Sequence, residues 1–163
     1  MMRDCHDFDA VIKTPFNGSY NRLAIRVNGE ELQELLFVKS TTRLKPPRSS
    51  AAKRVVEQLN AYFSDPTYQF SLSLAPVGTP YQKRVWNTLR RCPSGKVWSY
   101  GSLAEKINSG ARAVGNACRR NPIPIVVPCH RVVAANGVGG YSGKTNGSYL
   151  KIKQWLLNHE SAI

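Results

Sequence analysis

The sequence predicts two small domains, an α/β unit over residues 1–75 and a mainly α unit over residues 76–163. Three observations support this division. Alternating apolar residues on both sides of Asn28-Gly29 indicate a strand hairpin in the first half. Helix-start signals recur in the second half. Nearly all of the excess positive charge also lies in the second half, so the two halves differ in composition.

A hairpin forms the centre of the predicted first domain. Residues 21–27 alternate polar and apolar side chains, as a half-buried strand does. Asn28-Gly29 follows, and both residues tolerate the positive φ of a tight turn. Residues 31–38 complete the hairpin, with a helix as the alternative interpretation, and residues 10–13 predict a further short strand.

A helix and a last strand complete the first domain. A polar, proline-containing connection over residues 40–50 leads into a helix over residues 51–63 with one apolar face. Asp65-Pro66 ends that helix. Apolar side chains then alternate over residues 70–74 and predict a strand. This half contains no obvious site, so we expect it to be a structural domain.

The second half begins with a well-marked helix and continues with two short ones. Thr79 is a good capping residue and Pro80 suits a first helical turn, so a helix starts there and ends before Pro93. Two short helices follow over about residues 100–108 and 111–119, joined by a glycine-containing turn. Such a pair predicts a helix-turn-helix. A tightly packed helix pair with exposed arginines is the alternative.

The second short helix combines polar and small side chains. We expect Ala113, Val114 and Ala117 to face inward. The polar residues of this helix suit contact with DNA and are Arg112, Asn116, Arg119 and Arg120. The small residues, which let a partner approach the backbone closely, are Ala111, Ala113, Gly115 and Ala117.

Net charge points to a polyanionic partner. The chain has 23 basic and 10 acidic residues, a balance of +13. Residues 1–80 carry 10 basic and 8 acidic residues, whereas residues 81–163 carry 13 basic residues and two acids, Glu105 and Glu160. A strongly basic half favours nucleic acid, with a solvated basic surface as the alternative. Because acids are so rare in this half, we regard Glu160 as a candidate functional residue.

Composition indicates a folded intracellular protein. The 163 residues are 42% apolar, with no run near the ~20 apolar residues of a membrane span. The acidic N-terminal segment does not resemble a signal peptide, so we expect a cytoplasmic protein. The four cysteines, at positions 5, 92, 118 and 129, form no CxxC pair, which favours free thiols over disulfides. Cys5-His6 has no second pair at ligand spacing, so no metal site is expected.

A cysteine beside a histidine marks the chemical centre. Residues 121–133 read NPIPIVVPCHRVV, with Cys129 and His130 after a strand-like apolar run. A thiolate is the nucleophilic form of cysteine, and an imidazole can take its proton directly or through water. Neighbouring side chains on a strand point to opposite faces, so this contact needs a bridging water or an irregular backbone. A buried structural cysteine beside a surface histidine is the alternative.

Longer motifs around this centre carry a family resemblance. PCHRVV resembles the active-site sequence of O6-alkylguanine-DNA alkyltransferases, the methylated-DNA–protein-cysteine methyltransferases. TPYQKRVWNTLRRCPSG, VWSYGSLA, RAVGNACRRNPIPIVVPCHRVV, GGYSG and KQWLLNHE resemble further segments of the family in the same order. The resemblance covers residues 79–160 almost continuously. It implies a ribonuclease H-like first domain and a helix-turn-helix, winged-helix-like second domain.

The resemblance also implies catalytic roles. Cys129 matches the cysteine that accepts the alkyl group, and His130 the histidine that removes the thiol proton through water. Glu160 matches the acid that orients His130 and balances its charge. Tyr100 matches the tyrosine that helps to rotate the nucleotide and protonates the guanine ring. Asn121 matches the asparagine that links the recognition helix to the active-site loop.

Further matching positions imply a DNA contact and a lesion pocket. Arg112 matches the arginine that fills the gap left by the flipped base. The expected DNA-contacting residues are Arg112, Tyr100, Ala111, Ala113, Gly115, Asn116 and Arg119. The expected pocket residues are Pro124, Val132, Tyr141, Ser142 and Gly143.

The implied activity is direct reversal of DNA damage. The alkyl group, a methyl group in the simplest case, moves from O6 of guanine, and by extension from O4 of thymine, onto Cys129. The nucleotide is first extruded from the duplex, because the alkyl group is inaccessible within it. The thioether product has no simple hydrolytic exit, so each molecule acts once. We expect no cofactor, since DNA supplies the alkyl group, and a monomer that binds double-stranded DNA through the minor groove.

Three other functions compete with this interpretation. A damage-recognition module would bind alkylated DNA without transfer, but such proteins lack the cysteine that Cys129 supplies. A sequence-reading regulator would need longer base-contacting side chains than this small-residue helix offers. A cysteine hydrolase would regenerate its thiol and turn over.

Overall fold

The structure, a computed structural model, describes residues 7–135, 137, 139 and 147–162. The chain divides into two compact units, Met1–Val77 and Gly78–Ile163. Within the described residues, the first unit contains a three-stranded sheet and one helix, and the second contains four helices and a short two-stranded sheet. None of the helices within these ranges is long and apolar enough to cross a membrane.

The sheet of the first unit is antiparallel, in the order β1 (Ala10–Lys13), β2 (Arg22–Asn28) and β3 (Glu31–Val38). Gly29 adopts a φ of +62°, as a tight hairpin turn requires. The hairpin prediction is confirmed, and the helix alternative for residues 31–38 is wrong. Antiparallel pairing with β2 decides this point: Leu35 and Phe37 are buried in alternation, and Leu32 is also buried, across a register shift opposite Arg26 and Val27.

Helix α1 (Ser50–Ser64) packs on β2 and β3 and matches the predicted helix. Ser49 caps it, because its hydroxyl accepts a hydrogen bond from the amide of Ala52 at 3.1 Å. The side chains on its buried face are Ala51, Ala52, Val55, Gln58, Leu59 and Tyr62.

The strand predicted over residues 70–74 is wrong. Leu74 makes one isolated parallel bridge, to Leu32, and residues 70–74 do not form a strand. Gln58 gives the physical reason. Its side-chain oxygen accepts a hydrogen bond from the backbone amide of Ser71 at 2.9 Å, and its amide group donates to the Ser71 hydroxyl at 3.2 Å. The side chain of Gln58 on α1 thus bonds the backbone amide of Ser71, which in a sheet would bond a neighbouring strand.

The second unit begins with α2 (Pro80–Leu89), which confirms the helix predicted from the Thr79-Pro80 signal. Thr79 and Gln82 form a reciprocal capping box. Trp86 is buried on this helix, and its indole N–H donates to the backbone oxygen of Ala117 at 2.8 Å. This bond fixes α2 against a later helix of the unit.

Two short helices follow as predicted, α3 (Tyr100–Lys106) and α4 (Ala111–Arg119). Ser99 caps the first through the amide of Ser102. Val114 and Ala117 are buried on α4, as expected, but Ala113 is exposed, so its inward placement is wrong. Cys118 occupies the inward position instead, because the buried stripe of this short helix runs through positions 114, 117 and 118.

The end of the chain adds a helix that the sequence interpretation did not include. Helix α5 (Gly147–His159) buries Ile152, Lys153, Leu156 and Leu157. It contacts the segment that holds Cys129. A two-stranded parallel sheet, β4 (Trp98–Ser99) with β5 (Val132–Val133), joins the start of α3 to the other end of that segment.

Candidate active site

A tight, irregular segment of the second unit, residues 121–128, precedes Cys129. The amide of Val127 donates to the oxygen of Ile123 at 2.9 Å, and the amide of Cys129 donates to the oxygen of Val127 at 2.8 Å. Ile125 lies between them with a φ of +75°, a strained conformation for a β-branched residue. Strain of this kind persists only where the surrounding structure imposes it.

Cys129 and His130 lie in a three-residue 3-10 helix, Cys129–Arg131, and not on a strand. The strand-like interpretation of the approach to Cys129 is therefore wrong, and the irregular backbone considered as an alternative is present. The physical reason is the series of turns that starts at Asn121. Cys129 and His130 are both buried, with exposed fractions of 6% and 0%.

Asn121 connects the end of α4 to this turn. Its side-chain amide group donates to the oxygen of Val127 at 2.9 Å, and its side-chain oxygen accepts from the amide of Ile123 at 3.0 Å. Both bonds lie within the segment that precedes Cys129. Asn121 therefore holds the shape of the segment that leads to Cys129.

His130 and Glu160 form a buried pair. The Nε2 atom of His130 lies 2.9 Å from Oε2 of Glu160, and both side chains are fully buried. A carboxylate only accepts hydrogen bonds, so Nε2 carries the proton and donates. In the neutral imidazole this leaves a lone pair on Nδ1, a buried atom with no hydrogen-bond partner among the described residues. The free lone pair is the feature that a general base needs.

Arg131 also donates hydrogen bonds to the carboxylate of Glu160. Its Nε donates to Oε1 of Glu160 at 2.9 Å and its Nη2 donates to Oε2 at 2.9 Å. A third bond runs from Nη1 to the backbone oxygen of Cys92 at 2.6 Å. The bidentate pairing neutralises Glu160 within the unit. Sequence reasoning missed Arg131; its position beside His130, with a single acid available in the C-terminal segment, was the signal.

The charges set the protonation states of this pair. Hydrogen bonds from His130 and Arg131 outweigh burial and hold the pKa of Glu160 well below its usual range, so it is a carboxylate. Burial lowers the pKa of His130; Glu160 opposes that effect, and Arg131 and Lys153 add to it. In the resting site, the neutral imidazole of His130 therefore donates a hydrogen bond to the ionised carboxylate of Glu160.

The other described cysteines are poor nucleophiles. Burial raises the pKa of the Cys92 thiol to about 11 and that of the Cys118 thiol to about 12. A thiol with so high a pKa is almost entirely protonated at neutral pH. Cys5 lies outside the described residues.

Tyr100 stands at the first position of α3, and burial raises the pKa of its phenol to about 12. Its hydroxyl therefore retains its proton at neutral pH. The expected pocket residues Pro124 and Val132 are buried. Val132 follows the 3-10 turn, and its amide donates to the oxygen of Cys129. The other expected pocket residues, Tyr141, Ser142 and Gly143, lie outside the described residues.

The expected DNA-contacting residues other than Tyr100, which begins α3, lie on α4. Its exposed residues are Ala111, Arg112, Ala113, Asn116 and Arg119, while Gly115 is half-buried. An open groove of about 480 Å³ lies between α2 and α4. The residues that line this groove are Thr79, Tyr81, Gln82, Ala113, Asn116, Ala117, Arg119 and Arg120. Exposed arginines beside small residues favour contact with a phosphate backbone.

Sequence comparison places this site in a known family. Residues 80–162 match the family described as 6-O-methylguanine DNA methyltransferase, DNA binding domain. A methylated-DNA–protein-cysteine methyltransferase of Methanosarcina mazei is 40% identical over 160 residues, which cover 92% of this chain and 94% of that protein. The chain belongs to the methylated-DNA–protein-cysteine methyltransferase family. The resemblance inferred from the motifs is thereby confirmed.

Further relatives agree with this assignment. The constitutive methylated-DNA–protein-cysteine methyltransferase of Bacillus subtilis is 42% identical over 126 residues, covering 76% of this chain and 72% of that protein. Crystal structures of the Mycobacterium tuberculosis O6-methylguanine methyltransferase and of the Mycobacterium tuberculosis OGT in complex with DNA are also similar. One has a TM-score of 0.76 at 34% identity, and the other, in complex with DNA, has 0.75 at 38% identity. Each match covers 93% of this chain and 91% of the neighbour.

Proposed function

We propose that this chain repairs O6-alkylguanine in DNA by moving the alkyl group irreversibly onto Cys129. Membership of the methyltransferase family supports the reaction. The observation that carries the assignment of residues is the fully buried His130–Glu160 pair beside Cys129. It provides an oriented base next to a thiol, which a merely structural cysteine does not need.

Proton transfer comes first in the proposed mechanism. The lone pair on Nδ1 of His130 takes the thiol proton of Cys129 through a water molecule. The imidazole then carries a positive charge, which the carboxylate of Glu160 stabilises through the hydrogen bond at Nε2. Arg131 keeps that carboxylate ionised and oriented. The proton thus stays within a buried unit of fixed geometry.

Displacement follows. The thiolate attacks the alkyl carbon, the carbon–sulfur bond forms as the bond to O6 breaks, and the electron pair passes to guanine. Protonation of the guanine ring neutralises the departing guanine. Tyr100 is the proposed donor of that proton, because its phenol is protonated at neutral pH. The product is a thioether, so one molecule removes one alkyl group. The same chemistry extends to O4-alkylthymine. The reaction requires no cofactor, because DNA provides the alkyl group.

DNA reaches the site by extrusion of the damaged nucleotide. Unpairing and unstacking cost a few kcal/mol. Arg112, exposed in the first turn of α4, fills the vacated stack and lowers that cost. The small residues of α4 favour close approach in the minor groove, with α3 and α4 as a helix-turn-helix in a winged-helix-like domain. Residues 1–75 form a ribonuclease H-like structural domain. The protein acts as a cytoplasmic monomer.

A mass measurement tests the proposed acceptor. The protein is mixed with a duplex that carries one O6-methylguanine, and its intact mass is recorded for wild type, Cys129→Ala and Cys118→Ala. We expect one methyl group on the wild type and on Cys118→Ala, and none on Cys129→Ala. Lesion-selective binding without any mass increase would instead indicate a damage-recognition module. Repeated turnover would indicate a hydrolase.

A second measurement isolates the proposed role of Arg112. The transfer rate is measured with the methylated duplex and with the free O6-methylguanine base, for Arg112→Ala and for the matched control Lys53→Ala. We expect Arg112→Ala to slow transfer from the duplex and leave transfer from the free base unchanged, because the free base needs no extrusion. Equal loss with both substrates would contradict this role.

A further inference from the structure

A buried lysine stands next to the proposed acceptor. Lys153 lies in the middle of α5 and is fully buried, with its Nζ donating to the backbone oxygen of Val132 at 2.8 Å. Glu160 directly follows α5, and its amide still donates to the oxygen of Leu156 at 3.1 Å, so it continues the last helical turn seven residues after Lys153. The helix and the residue that follows it therefore contact the chain at the 3-10 turn and just after it, through Glu160 at His130 and through Lys153 at Val132.

The ammonium group of Lys153 lies near Gly139, which Tyr100 also approaches. A Cβ atom at Gly139 would lie 3.6 Å from Nζ of Lys153 and 3.6 Å from the ring of Tyr100, so both side chains converge on this glycine. Val132, which accepts the lysine hydrogen bond, in turn donates its amide to the oxygen of Cys129. The lysine is therefore linked to the backbone of the proposed acceptor through Val132, and it approaches the same glycine as the proposed proton donor.

The charged and titratable groups around Lys153 come from several elements. They are the thiol of Cys129 on the 3-10 turn, the thiol of Cys118 on α4, the phenol of Tyr100 on α3, His130, and Glu160 directly after α5. Glu160 is engaged by His130 and Arg131. Burial lowers the pKa of Lys153 to about 8, and Cys129 and then Cys118 oppose that effect.

A hydrogen bond to Val132 alone does not account for a lysine here. A neutral amide donor satisfies a carbonyl oxygen equally well, whereas the burial of an ammonium group costs several kcal/mol. Electrostatic coupling between two sites is reciprocal: since an anionic Cys129 favours the charged form of Lys153, a charged Lys153 favours the anionic sulfur.

We propose that Lys153 stabilises the thiolate of Cys129 during alkyl transfer, from the departure of the thiol proton to His130 until the carbon–sulfur bond forms. No bond or proton changes at Lys153. It acts through Cys129 and is therefore a positioning residue, distinct from the proton-transfer pair of His130 and Glu160. This inference rests on the proposed role of Cys129 as acceptor.

Two substitutions separate the charge of Lys153 from its hydrogen bond. Lys153→Gln removes the charge and keeps a donor for Val132, whereas Lys153→Met removes both. The readout is the rate at which iodoacetamide alkylates Cys129, measured by intact mass as a function of pH. We expect the pH midpoint of this rate to rise by about one unit or more in both variants. The matched control is Lys151→Gln, which removes an exposed charge from the same helix and should leave the midpoint unchanged.

A structural role alone predicts a different pattern. In that case both variants change the unfolding free energy and the transfer rate, but the pH midpoint of Cys129 alkylation stays at the wild-type value, which would overturn the proposal. The thiol readout needs no DNA. It is therefore independent of the proposed function, which fails separately if wild type takes no methyl group from the duplex.

Wild-type protein provides a second test if the variants do not fold. Lysine labelled with ¹³C at Cε reports the titration of Lys153 by NMR, since burial lowers the pKa of this residue to about 8. The spectra are compared before and after Cys129 is blocked with iodoacetamide. We expect a lower titration midpoint in the blocked protein, which can no longer hold an anionic sulfur. Equal midpoints would refute the coupling.

Discussion

Replacement of Glu160 by glutamine tests both the stability and the chemistry of the buried unit. The substitution keeps the shape and one acceptor oxygen, but it removes the charge that Arg131 and His130 both contact. Arg131 then retains a guanidinium that is only 12% exposed, without its carboxylate. Removing one partner of a buried ion pair costs about 3–5 kcal/mol. We expect a loss of unfolding free energy near the lower limit, because the amide oxygen still accepts one bond.

The effect on rate follows from the imidazolium formed during the reaction. Its hydrogen bond to a carboxylate is charge-assisted and contributes about 1.5–3 kcal/mol. A tenfold change in rate corresponds to about 1.4 kcal/mol. Glu160→Gln should therefore slow methyl transfer by roughly 10-fold to 150-fold, beyond any loss due to unfolding.

Single-turnover methyl transfer and urea denaturation measure the two effects separately. The matched control is Glu105→Gln, which removes the only other acid of residues 81–163, an exposed one on α3. This control should change neither quantity appreciably. A folded Glu160→Gln protein that transfers methyl groups at the wild-type rate would refute the assignment of Glu160 as the partner of His130.

Three further predictions concern the support of the site. Asn121→Ala should lower the unfolding free energy by about 1–3 kcal/mol and slow methyl transfer, since the buried oxygen of Val127 loses its donor; unchanged values in urea denaturation and transfer assays would contradict it. Trp86→Phe should cost a similar amount by depriving Ala117 of the indole donor, with the transfer rate per folded molecule retained. Because the folded-state pKa of Glu160 lies below its ordinary value of 4.5, its stabilising contribution is complete above that pH and is lost as the pH falls towards the folded value. Urea denaturation from pH 7 to pH 3 should show this loss in wild type and a shallower slope in Glu160→Gln; equal slopes would exclude it.

The secondary structure was predictable wherever local signals acted alone. The hairpin at Gly29, the capped start of α2 and the two short helices follow from side-chain alternation, capping residues and glycine, which operate over a few neighbouring residues. The strand over residues 70–74 was not predictable, because its competitor was the side chain of Gln58 on a helix distant in sequence.

The sequence by itself determined the chemical identities at the centre: a cysteine next to a histidine, one of only two acids in a basic half, and motifs specific enough to indicate the family. Only the tertiary structure decided how these residues meet. The 3-10 turn at Cys129 follows the series of turns that starts at Asn121. The bidentate hold of Arg131 on Glu160 and the burial of Lys153 depend on α5 packing against a turn about 30 residues earlier. Periodicity reports only which face of an element is apolar, and a charged residue inside the fold is stable only if distant partners offset its desolvation.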